Sequence, residues 1–289
     1  MSLDQLEETS NNNLAPIIAN FSKQALCYEQ VAHAHKKTAQ SLDQYIASKN
    51  TFPTSGNILE IGCGTGLLSQ YLVKRFLHEK IYFLDPAPNM LTVCRNNIDK
   101  QLRHLNADHL TQPTFIESTI EDYLANPRFA KVNFALIASS FTFHWFMDLS
   151  AIVKQLIDRL EPGGQLFFSF PAAESFPEWQ EICLKLNIPF TANALPCQKE
   201  LKSAIDNQQA TIDCRKYPCQ VSFNSALQFF QEMKMLGATS SVLTKSSNQE
   251  NMMPSRKLTV GDFRRLLKTW HGPIKCTYKI IEGIITRHN

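Results

Sequence analysis

Ile58-Leu59-Glu60-Ile61-Gly62-Cys63-Gly64-Thr65-Gly66 is a short apolar run with an acid near its end, followed by three glycines on alternate positions. Leu67 to Phe76 then reads as a helix. Strand, glycine turn and helix is how an α/β sheet holds an adenosine-bearing molecule at the carboxyl edge of its strands. Spacing narrows the ligand. A dinucleotide fingerprint, G-x-G-x-x-G, needs its third glycine at position 67, which is Leu67; here the third is Gly66. The glycines let the backbone approach a ligand where a Cβ would collide. Taken alone, they also fit a turn that binds nothing. One strand later the reading sharpens. Lys80-Ile81-Tyr82-Phe83-Leu84-Asp85 is a buried-type strand ending in a carboxylate. It lies about 20 residues past the glycines, the offset at which an acid meets ribose hydroxyls. Asp85 can accept both hydroxyl protons. It can equally cap the helix predicted over Ala87 to Asn97, with Pro86 and Pro88 near the first turn.

Composition fits a globular chain with a core: 289 residues, 44% hydrophobic and 19% charged. The longest nearly apolar stretch, Phe134 to Met147, contains Ser, Thr and His and is too short to span a membrane. Met1 to Asn13 is acidic and polar, unlike a secretory leader, and is expected as a disordered tail. The eight cysteines form no C-x-x-C pair, which argues against a zinc site and for reduced thiols in a cytoplasmic protein. A net charge of +3 and the lack of a basic-aromatic module argue against a nucleic-acid partner.

Periodicity predicts a helix over Leu14 to Ser48. Strands over Asn57–Ile61, Lys80–Leu84, Thr114–Glu117 and Val132–Ala138 then alternate with helices. A helix over Leu149–Leu160 breaks at Glu161-Pro162-Gly163-Gly164, and a fifth strand follows over Gln165–Phe170. Such alternation specifies a parallel sheet covered by helices on both faces. Beyond it, Ala172–Leu186, Ser225–Leu236 and Val260–Trp270 read as helices, and Asp213–Phe223 and Ile274–Ile285 as extended. Residues 239–255 read as a long surface loop. The organisation is one Rossmann-like domain over residues 14–289, with insertion or lid elements in 172–256 before the last strand.

The pattern E-x-G-x-G-x-G over Glu60 to Gly66 resembles motif I of class I S-adenosylmethionine (SAM) methyltransferases. Further segments resemble the malonyl-acyl-carrier-protein O-methyltransferases of the biotin pathway, the BioC family. They are Phe21-Ser22-Lys23-Gln24-Ala25 with Tyr28, the stretch Leu84 to Leu91, and Phe143-His144-Trp145 with Asp148-Leu149. Met235-Leu236-Gly237-Ala238-Thr239, Lys257-Leu258-Thr259 and Cys276-Thr277-Tyr278 with Gly283 and Arg287 complete the resemblance. Two positions depart from it. Thr119 stands where many class I members place an acid toward the adenine, with Glu121 close by as a substitute, and His144 replaces the family's usual glutamine.

The resemblance implies methyl transfer from SAM to the free carboxylate of malonyl-acyl carrier protein, with no metal. It implies SAM contacts from Glu60, Gly62, Cys63, Gly64, Gly66, Asp85, Pro86, Met90, Thr119, Ile120 and Ser139. Tyr28, His144 and Trp145 are the candidates at the reacting centre, as positioning groups only; each also fits a packing role. Phe229, Phe230, Met233 and Leu236 form a helical apolar stripe, suited to packing or to walling a channel. The basic C-terminal segment, with Arg264 and Arg265, suits an acidic carrier partner or an ordinary solvated face. Methylation of a free small acid, and SAM binding without catalysis, are the competing readings.

Overall fold

The computed structural model describes residues 3–49, 56–107, 112–205, 209–237 and 257–289. The chain runs α1 (Leu3–Gln24), α2 (Tyr28–Val31), α3 (His33–Ser48), β1 (Ile58–Ile61), α4 (Ser69–Arg75) and β2 (Ile81–Asp85). It continues α5 (Pro88–His104), β3 (Thr114–Glu117), α6 (Ile120–Ala125), β4 (Phe134–Ser140), α7 (Leu149–Asp158) and β5 (Leu160–Pro171). Then come α8 (Pro177–Leu186), α9 (Gln198–Ser203), β6 (Ala210–Phe223), α10 (Ala226–Met235), α11 (Val260–Thr269) and β7 (Ile274–Arg287). Among the described residues no helix is long and apolar enough to cross a membrane.

The sheet order is β3-β2-β1-β4-β5-β7-β6. Strands β1 to β5 pair in parallel, and β7 runs antiparallel to both neighbours. Every residue of β1 and β2 is buried, because helices cover both faces of the sheet. Side chains alternate between the two layers. Leu59 and Ile61 join the core under α6 and α7, while Ile58 joins the core under α3, α4 and α5. A third core gathers Phe176, Trp179, Phe229, Leu266, Trp270 and Tyr278 from the elements after β5. The order of strands reverses between β1 and β4. In open α/β sheets a crevice opens at that reversal, beyond the carboxyl ends of the strands.

The expected Rossmann-like sheet is present, with differences at its margins. The segment from Asp213 is a full member of the sheet, β6, and it starts at Ala210. The helix expected from Ala172 starts at Pro177. The preceding residues are held to β7 first, by Ala172 N–H to Lys279 O at 2.7 Å and Phe176 N–H to Thr277 O at 2.7 Å. Glu161 to Gly164 is a bulged entry into β5, where the pairing shifts from Phe134 with Leu160 to Leu136 with Gln165. The backbone of α1 is helical from Leu3, across most of the stretch expected as a tail. The loop expected at 239–255, and Ala238 and Thr239 of the Met235–Thr239 motif, lie outside the described residues.

Candidate functional site

The glycine turn leaves β1 against the end of β2. Gly62 N–H and Cys63 N–H both donate to Leu84 O, at 2.7 and 3.1 Å. Gly62 has φ +68°, and a Cβ there would lie 2.2 Å from Thr142 Oγ1, so only glycine lets the turn pass under the chain after β4. Gly64 has φ +54°, and a Cβ there would meet no protein atom within 4 Å. Its open side adjoins a cavity of about 500 Å³ at the β1/β4 reversal.

Asp85 closes β2 and fixes this turn. Its Oδ2 accepts from Gly64 N at 2.8 Å and its Oδ1 from Ala87 N at 2.9 Å. The second bond serves the backbone entering α5, whose N-cap position is Ala87. Burial pushes the Asp85 carboxyl up to about 6, against the two N–H groups that favour its ionised form. Glu60 is 2% exposed, and burial raises its carboxyl well above the usual carboxylate range. Its Oε2 is buried without a hydrogen-bond partner.

Most sequence-predicted residues meet in this cavity: Tyr28, Glu60, Gly62, Cys63, Gly64, Asp85, Pro86, Met90, Thr119, Ile120, His144 and Trp145 all line it. Two do not. Gly66 faces Cys94, whose Sγ would lie 3.2 Å from an added Cβ, so this glycine serves the contact between α4 and α5. Ser139 is fully buried and donates its Oγ to Ile61 O at 3.1 Å, tying β4 to β1; its neighbour Ser140 lines the cavity instead. Thr119 lines the wall, but its Oγ1 accepts from Asp122 N at 3.1 Å as the N-cap of α6. The acid two residues on, Glu121, also lines the cavity, and its Oε1 is buried without a partner.

The N-terminal helices roof the cavity. Phe21 meets Trp145 edge-on at 5.4 Å and Tyr28 at 6.2 Å. Asn89 Nδ2 donates to Ser22 O at 3.0 Å, pinning the end of α1 to the start of α5. Tyr28 is buried, and that burial, with Asp85 nearby, raises its phenol above the ordinary value. The apolar stripe of α10 divides. Phe229 is fully buried in the third core, while Phe230, Met233 and Leu236 line the cavity.

Sequence reasoning missed Phe141, His35 and the aromatic far wall. Phe141 has φ +57°, a region a bulky residue seldom occupies, and its N–H donates to Ser169 O at 2.7 Å. Such local strain concentrates at ligand sites. His35 sits on α3 with no motif to announce it, and Phe176, Trp179 and Tyr278 complete the far end. Burial lowers His144 to about 3, so the ring that stands in the usual glutamine's place rests neutral.

The cavity fits the group that the glycine turn implies. It has open space at Gly64, a carboxylate at the end of the second strand, and the unpartnered Oε1 of Glu121 on the wall beside them. Among the described residues no group of three or more His, Cys, Asp or Glu is placed to hold a metal ion.

Two solved structures share the fold. A putative methyltransferase from Bacillus halodurans is 12% identical, with a TM-score of 0.55, over 88% of this chain and all of that one. The YcgJ protein from Bacillus subtilis has a TM-score of 0.53 at 15% identity, over 86% of this chain and 99% of that one. Closer sequence relatives carry more specific names. The malonyl-[acyl-carrier protein] O-methyltransferase of Priestia megaterium is 26% identical over 93% of this chain and 96% of its own. Malonyl-[acyl-carrier protein] O-methyltransferase 2 of Ilyobacter polytropus is 27% identical over 77% of this chain and 80% of its own. The biotin biosynthesis bifunctional protein BioCD of Bordetella avium is 30% identical over 77% of this chain, which spans 44% of that longer protein. A family model described as a methyltransferase domain matches residues 31–232, a span that holds the glycine turn, Asp85 and His144. With that match laid on this sheet and this cavity, the chain belongs to the methyltransferase domain family.

Proposed function

We propose that this protein moves a methyl group from SAM to the free carboxylate of a malonyl group held by thioester on acyl carrier protein. The ester masks a charge and primes pimelate synthesis for biotin. The reading is carried by the similarity to the malonyl-[acyl-carrier protein] O-methyltransferase of Priestia megaterium, which runs over nearly the whole of both chains. The shape of the cavity supports it: a polar floor at the glycine turn, then an apolar extension walled by Phe176, Trp179, Phe230 and Tyr278. The reading expects a cytoplasmic enzyme with no part for metal, membrane or nucleic acid.

When bound, SAM supplies a methyl group on a positively charged sulfur. The chain's own residues bind, orient and keep water out. Gly62 and Gly64 let the backbone come close to the methionine and ribose portions. Asp85 accepts from the ribose hydroxyls, and Glu121 is the acceptor placed for the adenine amino group. A malonyl carboxylate is ionised at neutral pH and needs no general base. Tyr28, His144 and Trp145 therefore act by placement. Holding two reactants in line contributes on the order of 7 to 11 kcal/mol to lowering a barrier. The Phe21–Trp145 contact closes the roof against water.

Methyl transfer from labelled SAM should be measured with malonyl-carrier protein, malonyl-CoA and free dicarboxylic acids. The expected order of kcat/KM has malonyl-carrier protein first. Equal turnover of free malonate would overturn the carrier assignment, and no transfer to any of them would overturn the reading.

A further inference from the structure

Two imidazoles stand where the polar floor of the cavity gives way to its aromatic end. His35 comes from α3 and His144 from the turn after β4. Both line the cavity and both rest against Phe141, with ring centroids 4.0 and 6.1 Å from it. The Nδ1 of each ring is buried without a hydrogen-bond partner. An unmatched buried polar atom costs about 1–3 kcal/mol. Two of them around one phenylalanine in one cavity point to a ligand that satisfies them. The ligand's charge follows from the rest of the lining. Among the described residues that line the cavity there is no Lys or Arg. Its acids, Glu60, Asp85 and Glu121, stand at the ends of β1 and β2 and on α6. An anionic group that passes Phe141 therefore finds imidazole donors before any cation.

We propose that His35 and His144 together seat the acceptor's carboxylate, each donating a ring N–H to it. This deepens the carboxyl-methylation reading and rests on it.

The surroundings suit the role. Both rings are lowered to about 3, His144 by burial and His35 by burial and then by His144 beside it. A neutral imidazole has one N–H and one lone pair. It can orient one carboxylate oxygen and leave the other free to attack, whereas a bidentate guanidinium would engage both. The titratable groups facing the pair are Tyr28 of α2, 5.6 Å from His35, and Tyr278 of β7, 6.0 Å from Phe141. Burial raises both phenols, so neither competes as an anion. Asp85 lies beyond Tyr28 and is engaged by Gly64 and Ala87. Rings held neutral by burial donate an N–H without taking up a proton, so acceptor affinity does not rise as pH falls from 7 to 6.

Turnover of malonyl-carrier protein by the wild type comes first and decides the functional reading by itself. The full-length enzyme, saturated with S-adenosylhomocysteine, is then titrated with malonyl-carrier protein. Histidine ring nitrogens are followed by NMR, and proton uptake is read by calorimetry in buffers of different ionisation enthalpy. Two ring systems should shift as their N–H groups become hydrogen-bonded, with both rings staying neutral and no net proton uptake. Unmoved rings at saturation overturn the proposal while leaving methyl transfer intact. His35→Phe and His144→Phe should each raise the acceptor KM by about tenfold or more, with SAM affinity unchanged. His35→Gln and His144→Gln should recover part of that loss, because an amide N–H replaces the neutral imidazole donor. A folded double phenylalanine variant with the wild-type acceptor KM overturns the proposal as well.

Discussion

At the scale of single residues, Asp85 has two tasks in tension. Its oxygens already hold Gly64 N and Ala87 N, and the same carboxylate is the proposed acceptor for two ribose hydroxyls. Only the ionised form accepts on both oxygens. Burial puts its protonation near 6 in place of the ordinary 3.8. The sign follows directly. Above pH 6 the acid is ionised and competent; below it the acid protonates. SAM affinity should fall about tenfold per pH unit below 6. In Asp85→Asn that dependence should vanish, and affinity should be weaker by about 1.5 to 3 kcal/mol. Calorimetric titration with SAM between pH 5 and 8 checks both. For folding the sign is opposite. The folded state holds this proton more tightly than the unfolded chain does, so Asp85's contribution to stability declines as pH rises from 3.8 through about 6. The free enzyme tolerates this cost at neutral pH at a residue its ligand needs.

At the scale of elements, the roof is the part expected to move. α1 has a ring on the cavity through Phe21, against Trp145 and Tyr28, and is held to α5 by Asn89 and Ser22. Phe21→Ala should weaken SAM binding by about tenfold and speed cleavage within α1 under limited proteolysis. Its thermal midpoint should shift little, because Phe21 lies outside the main sheet cores. An unchanged SAM dissociation rate would show that α1 does not cover the ligand. Elements were also the most legible level of the sequence. β1, the glycine turn and β2 were readable because apolar runs, glycine spacing and a terminal acid all pointed the same way. Where two local rules compete, the sequence leaves neighbouring residues in contention. Thr119 stands at the adenine acid's position with Glu121 as its substitute; a threonine before a helix is first a cap, and Glu121 keeps a buried oxygen without a partner. Ser139 is the serine expected at the site, but successive residues on a strand face opposite sides, and Ser140 lines the cavity. His35 and Phe141 left no trace, since neither a helical histidine nor a left-handed phenylalanine has a spacing signature. Their meeting depends on β4 and α3 crossing in space.

At the scale of the whole molecule, the net charge of +3 is unremarked until it is located. Arg264 and Lys268 are exposed and one turn apart on α11, below Val260, which is 69% exposed. Arg265 is less available than its position in the sequence implied: its Nη2 donates to Leu186 O at 3.0 Å, and Asp262 lies 3.8 Å from it. Leu258 and Phe263, flanking the start of α11, line the cavity, so this basic face adjoins the proposed acyl channel. Reversing Arg264 and Lys268 together should raise the KM for malonyl-carrier protein about tenfold at low salt and leave SAM affinity alone. The gap should close as salt is added, since screening acts within roughly 8 Å at physiological strength. A salt-independent KM in both proteins would remove this face from docking. The sheet order carries a different consequence, one of timing. β7 comes last of the seven strands in sequence yet lies between β5 and β6. A ribosome adds roughly 5–20 residues each second, and β6 emerges seconds before the strand it must pair with. Throughout that interval a 14-residue strand has no strand to pair with in its own chain. The nascent protein therefore finishes its sheet only after β7 has emerged, and until then β6 is the segment a chaperone has most reason to hold.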